Sequence, residues 1–91
     1  MIRSFRHKGL ERYFLDDDPR GVRFDLLRRV RRRLLSIDEA GQLEDINVPG
    51  SNLHPLRGAK NRFAVHVNGP WRITFEWRDG EAWTVDLEQY H

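Results

Sequence analysis

The sequence contains no cysteine, so no disulfide staples it and no thiolate is available for metal or redox chemistry. Lysine is almost missing: Lys8 and Lys60 are the only two among 16 basic residues, and the other 14 are arginines. No apolar run is long enough to cross a bilayer, and Met1-Ile2-Arg3-Ser4-Phe5-Arg6 lacks the apolar stretch of a signal peptide. No phosphate-binding glycine loop and no nucleophile elbow is present. His7, His54, His66 and His91 show no short paired spacing of the kind zinc requires. These absences exclude a disulfide scaffold, a thiol enzyme and a P-loop protein. They fit a cytoplasmic protein with no metal, no cofactor and no membrane. The 91 residues are expected to form a single domain over 1–91. A chain of this size buries roughly 60–70% of its unfolded surface, enough for one core.

What is present is charge, and it is segregated. The net charge is only +2, because 14 acidic residues offset the 16 basic ones. The acids gather at Asp16-Asp17-Asp18, Asp38-Glu39 and Glu44-Asp45, whereas arginines crowd the run from Arg28 to Arg33. Arginine offers a planar fork to phosphate and stacks on bases. A basic face predicts an anionic partner, with a solvated helix face as the plain alternative for that run.

Residues 2–5 suit a short strand and 8–15 a short helix. Residues 16–23, with Pro19 and Gly21, read as a connector. Over 24–40, Leu27, Val30, Leu34 and Ile37 recur at helical spacing, with Leu26 and Leu35 widening the stripe. Residues 42–62 read as one long loop, and loops of that length are usually functional. Strands are expected at 63–67, 71–77 and 82–87. Their apolar residues are all odd-numbered, so odd must pair with odd. A three-residue loop at Arg78-Asp79-Gly80 satisfies that rule, pairing Phe75 with Trp83, Ile73 with Val85 and Trp71 with Leu87. The other hairpin pairs Val65 with Ile73 and Phe63 with Phe75. The opposite face then carries His66, Arg72 and Asp86 in one row, and Ala64, Thr74 and Thr84 in the next. Helices cover one side of this sheet. The open polar side suits single-stranded nucleic acid.

Four segments carry residues fit for phosphate chemistry. His54 lies in the long loop, held extended by Pro55. Arg57 can fork onto a phosphate, and Gly58 beside it allows close backbone approach. Arg72 projects from the middle strand; its plain role would be an ion pair with Asp86. Tyr90 and His91 close the sequence, where a frayed tail is the ordinary expectation. Together these residues can cleave RNA without a metal. A base takes the proton of a 2′-hydroxyl, which attacks the adjacent phosphorus. A cation stabilises the charged transition state, and an acid protonates the departing 5′-oxygen. Tyr90 can stack on a base or help activate the nucleophile.

Read together, Ile2-Arg3-Ser4-Phe5-Arg6-His7-Lys8-Gly9-Leu10, Leu53-His54-Pro55-Leu56-Arg57-Gly58, Trp71-Arg72-Ile73-Thr74-Phe75 and Tyr90-His91 resemble the HigB toxins of the RelE/ParE superfamily. The blocks occur in family order and span the chain. The resemblance implies an α+β fold, two N-terminal helices on a small, mostly antiparallel sheet. It implies the toxin of a type II toxin–antitoxin system, an endoribonuclease that cuts mRNA on the 70S ribosome and so inhibits translation. The implied partners are a HigA-type helix-turn-helix antitoxin and the ribosome with its mRNA and ribosomal RNA, with no direct DNA binding. By the same resemblance His54, Arg57, Arg72, Tyr90 and His91 are the catalytic set. Arg6, Lys8, Arg28, Arg29 and Arg32 are expected to bind RNA or ribosome through phosphate charge.

Two departures from the family pattern stand out. Arg57 replaces a frequent lysine and keeps the charge without the ability to titrate. Gln89 replaces the aspartate of the usual Glu-Asp-Tyr-His ending, with Asp86 as a candidate substitute. Two other functions share this fold: a gyrase-inhibiting toxin of the ParE branch, which would not need the histidines, and a non-catalytic module that only binds antitoxin.

Overall fold

The structure is a computed structural model that describes residues 1–90. Helix α1 spans Lys8–Asp16. His7 caps it, its Nδ1 accepting from the Leu10 amide at 3.1 Å. Asp17, left-handed at φ 56°, ends it. Leu10 and Tyr13 form its buried side. A close approach of Gly9 to Gly21 locks the helix to the connector: a Cβ on Gly9 would lie 2.3 Å from the Gly21 carbonyl oxygen.

Helix α2 spans Leu27–Glu39, entered through a 3-10 turn at Phe24–Leu26. Val30, Leu34 and Ile37 are fully buried, as their spacing requires. Leu35 does not join them; it is 44% exposed, because the sheet covers a narrower stripe than the pattern implies. The long loop holds a 3-10 turn at Leu43–Ile46 and a two-residue strand β1, His54–Pro55.

Strands β2 (Arg62–Asn68), β3 (Trp71–Arg78) and β4 (Glu81–Gln89) follow β1 in one antiparallel sheet of order β1-β2-β3-β4. Residues 2–5 make only isolated parallel bridges to β4, Ile2 with Ala82 and Phe5 with Val85. The architecture is α+β. The core lies between the helices and one sheet face, around Phe75, Ile73, Val65 and Leu34. Among the described residues no helix is long and apolar enough to cross a membrane.

The β2–β3 pairs are as expected up to His66, with Phe63 opposite Phe75 and Val65 opposite Ile73; beyond it the register shifts, and Asn68 meets Trp71 across a two-residue turn instead of joining a three-residue loop. The β3–β4 register is not as expected. Asp79 and Gly80 both have positive φ, 55° and 74°, and form a two-residue turn. Near that turn odd pairs with even: Glu76 with Trp83, Trp77 with Ala82. One extra residue on β4 then restores parity, giving Ile73 with Leu87 and Trp71 with Gln89. The bulge falls at Thr84, whose φ of 49° is uncommon for a β-branched residue. It is held from both sides. Ser4 Oγ accepts from the Thr84 amide at 2.8 Å, and Arg62 donates to Thr84 Oγ1 at 2.7 Å.

Odd does meet odd beyond the turn, but a bulge achieves this instead of a longer loop. Ala82 therefore takes the core position expected of Trp83, and Trp83 lies under the Arg78 guanidinium, 4.1 Å away. The open-face row becomes His66, Arg72 and Glu88, and Asp86 moves opposite Thr74.

Candidate active site

On the open face a groove of about 550 Å³ lies between β1, the following loop and the sheet. Its basic walls are Arg6, Arg57, Arg62 and Arg72; His54, Pro55, Leu56, Ala59 and Glu88 complete it. His54 pairs with Ala64 across β1 and β2. Its Nδ1 lies 2.8 Å from the Asn52 carbonyl oxygen. A carbonyl only accepts, so Nδ1 carries the proton and donates. The neutral ring therefore has its lone pair on Nε2, and the charged ring presents an Nε2 proton. Asn52 reaches this position with a left-handed φ of 47°.

Arg72 stands in β3, two strands from β1, a span of roughly 10 Å. Its guanidinium lies over the Tyr90 ring, 4.4 Å from the centroid. A cation in this position gains about 0.5–2 kcal/mol. Its Nε is buried without a hydrogen-bond partner among the described residues. Leaving such a donor unmet costs roughly 1–3 kcal/mol. The Tyr90 amide donates to the Pro70 carbonyl at 2.9 Å, which holds the ring's backbone beside β3.

Glu88 is directly opposite Arg72 but does not pair with it. Thr74 Oγ1 donates to the Glu88 carboxylate instead. Thr74 is fully buried and also accepts from Arg62 at 3.1 Å. Arg62, Thr74 and Glu88 thus form one network that draws the carboxylate away from Arg72. Alternation along β4 puts Glu88 and Tyr90 on the groove side. Gln89 faces the other way, opposite Trp71, which packs on the core. The substitution at Gln89 therefore lies outside the groove. Asp86 is not the substitute: it accepts from the Leu87 amide and does not line the groove.

The structure thus brings together His54, Arg57, Arg72 and Tyr90, with Arg6 on the wall. His91 lies outside the described residues. Gly58 serves differently from expectation, since nothing lies within 4 Å of where its Cβ would be; its φ of 73° is what the turn needs. Lys8 is away from the groove, in a 3.9 Å pair with Glu11. Arg28, Arg29 and Arg32 line a separate depression. Sequence reasoning missed Arg62 and Glu88. Alternation offered a signal for Arg62, two residues from Ala64 on the open face. Glu88 depended on a bulge that left none.

The chain is similar in sequence to one known family and to two of its named members. The sequence pattern of the family described as RelE-like toxin of type II toxin-antitoxin system HigB matches residues 3–91. The chain is 37% identical over 92 residues to Endoribonuclease HigB of Proteus vulgaris, covering all of both chains. It is 30% identical over 93 residues to Toxin HigB-1 of Vibrio cholerae serotype O1, covering 99% of this chain and 98% of that relative. With the α+β fold and a full-length match, the chain belongs to the HigB-like family of RelE-like toxins, each one half of a type II toxin–antitoxin pair, and so has an antitoxin partner.

Proposed function

We propose that this toxin is an endoribonuclease that cuts mRNA on the ribosome, in the cytoplasm, without a metal or cofactor. The observation that carries the reading is the pairing, in one groove, of a tautomer-fixed His54 with an Arg72 that meets no carboxylate among the described residues. The name of the Proteus relative supports the same activity.

The RNA lies across the open face with its scissile phosphate between β1 and Arg72. His54 and His91 divide the two proton transfers. One removes the proton from the 2′-hydroxyl as that oxygen attacks phosphorus. The other delivers a proton to the 5′-oxygen as its bond to phosphorus breaks. The products are a 2′,3′-cyclic phosphate and a 5′-hydroxyl. Arg72 and Arg57 hold the non-bridging oxygens, whose charge grows in the transition state. Arg57 cannot titrate, so it acts only as a cation. Tyr90 orients Arg72 from below and offers its remaining edge to a base. Arg6 adds charge at the wall. The antitoxin is of the HigA helix-turn-helix type.

A gyrase inhibitor has no use for a histidine whose tautomer is fixed beside a basic groove. The test is to add purified toxin to ribosomes programmed with a defined mRNA and map the ends. Cuts within codons that leave 2′,3′-cyclic phosphates are expected. Stalled translation on intact message contradicts the reading.

A further inference from the structure

The open face carries a histidine that the cleavage scheme leaves idle. His66 lies in β2, directly opposite Arg72. Arg72 is a wall of the groove; His66 is not, and stands beside that wall. His54 lies opposite Ala64, two residues from His66 along β2. Alternate residues of a strand share a face, so His54, His66 and Arg72 run diagonally across one side of the sheet. The His66 backbone is clamped from two directions. Its amide donates to the Ser51 carbonyl at 2.7 Å, and its carbonyl accepts from Arg33 Nε of α2 at 2.9 Å. The ring is half-buried and has no hydrogen-bond partner among the described residues. Neither ring nitrogen is a buried atom left unmet, so the polar edge of the ring reaches solvent.

The charged groups around His66 are mostly cations. Arg72 stands opposite it from β3, and His54 stands diagonal to it on β1. Arg62 shares its strand and face but turns to Thr74 and Thr84. Arg29 and Arg33 reach the strand from α2, on its carbonyls. The segment 49–53 brings no charge. The carboxylate of the row is Glu88, one strand beyond Arg72, and Thr74 holds it. Asp86, also on β4, accepts from the Leu87 amide.

Like charges directly opposite each other across strands repel. Arginine is always charged, whereas a histidine changes charge between about pH 5 and 8. The pair His66–Arg72 is therefore at ease with a neutral ring, or with an anion between the two. Opposed side chains start about 4.5–5.5 Å apart at Cβ, close enough for both to reach one phosphate. We propose that His66 is a further residue of the active site: it closes on the phosphate that Arg72 holds, with a hydrogen bond when neutral and an ion pair when protonated, so that the grip on RNA tightens as pH falls. This rests on the cleavage reading above. A phosphate favours the charged form of a histidine beside it, so binding takes up a proton.

The test compares the wild type with His66→Gln and His66→Arg in the full chain, with an unchanged Tm verifying each fold. Affinity is measured from about pH 5.5 to 8.5, the range that brackets histidine titration. The probe is a ribosome programmed with mRNA carrying a 2′-O-methyl group at the cleaved step, which binds without being cut. From the alkaline to the acid end, wild-type affinity should rise roughly fivefold more than that of His66→Gln. At the acid end its salt slope should exceed that of His66→Gln by about 0.7, one phosphate contact on a single strand. His66→Arg should bind at every pH as the wild type does at the acid end, because its charge does not titrate. Should His66→Arg not fold, the comparison with His66→Gln decides alone. Parallel pH profiles for the wild type and His66→Gln overturn the proposal, and so does a loss in both variants that is equal at every pH, which marks a packing role. A wild type that shows the expected profile yet leaves unmodified message intact sinks the cleavage reading and leaves this site standing. Cut message with parallel profiles does the reverse.

Discussion

In the connector between the helices, Arg20 forks onto Asp18 and Arg23 onto Asp25, each two residues away, while Arg31 reaches Asp17 from α2. On the open face of the sheet, Arg72 meets no carboxylate among the described residues, although Glu88 stands opposite it. Both regions are rich in arginine and both contain acids. In the connector the acids lie close along the chain, and local pairing neutralises the charge. In the groove, Thr74 takes the Glu88 carboxylate and Tyr90 supports the arginine from below. Net charge does not distinguish the two; the hydrogen-bond network does. Surface pairs such as Arg20 with Asp18 add little to stability. In a basic groove, a cation that meets no carboxylate among the described residues favours an anion from outside.

The contrast can be broken in stages. Replacing His54 with Ala removes the group proposed to transfer a proton and should lower single-turnover cleavage of ribosome-bound message by about 10²–10⁴-fold, with Tm nearly unchanged. Thr74→Val should release Glu88 toward Arg72 and convert the groove arginine into a paired one like those of the connector. Cleavage should then drop roughly tenfold, equivalent to about 1.4 kcal/mol, and Glu88→Gln added to that variant should restore most of it. Rate measurements on the two single variants and the double close this cycle.

The smallest effect belongs to the connector. Its partner Arg20 holds the Asp18 carboxyl down to about 2 from 3.8. A carboxyl with a depressed folded pKa stabilises above its unfolded value, and that contribution is lost as pH falls from 3.8 through about 2. Asp18→Asn should therefore slightly flatten the acid side of the Tm profile and leave cleavage at neutral pH unaltered.

The sequence carried different parts of this picture to different depths. Helix α2 was readable because Val30, Leu34 and Ile37 repeat over enough turns to fix a face, although Leu35 overstated its width. His54 stood out in the sequence because Pro55 restrains it, yet β1 did not, since two residues carry no periodicity. Parity along β2, β3 and β4 correctly required odd to meet odd beyond the turn. It did not disclose that Thr84 would absorb the mismatch, because a left-handed threonine has no local signature and depends on Ser4 and Arg62 from distant segments. That bulge set the rest: it brought Glu88, in place of Asp86, opposite Arg72.

The most direct test compares one arginine from each region under the same conditions. Single-turnover cleavage of ribosome-bound mRNA is measured for Arg72→Ala and Arg20→Ala beside the wild type. Loss of a preorganised cation at the developing charge predicts a fall of about 10²–10³-fold for Arg72→Ala, and no change for Arg20→Ala. Equal rates for the two variants would contradict the claim that Arg72, and not an arginine of the connector, works on RNA.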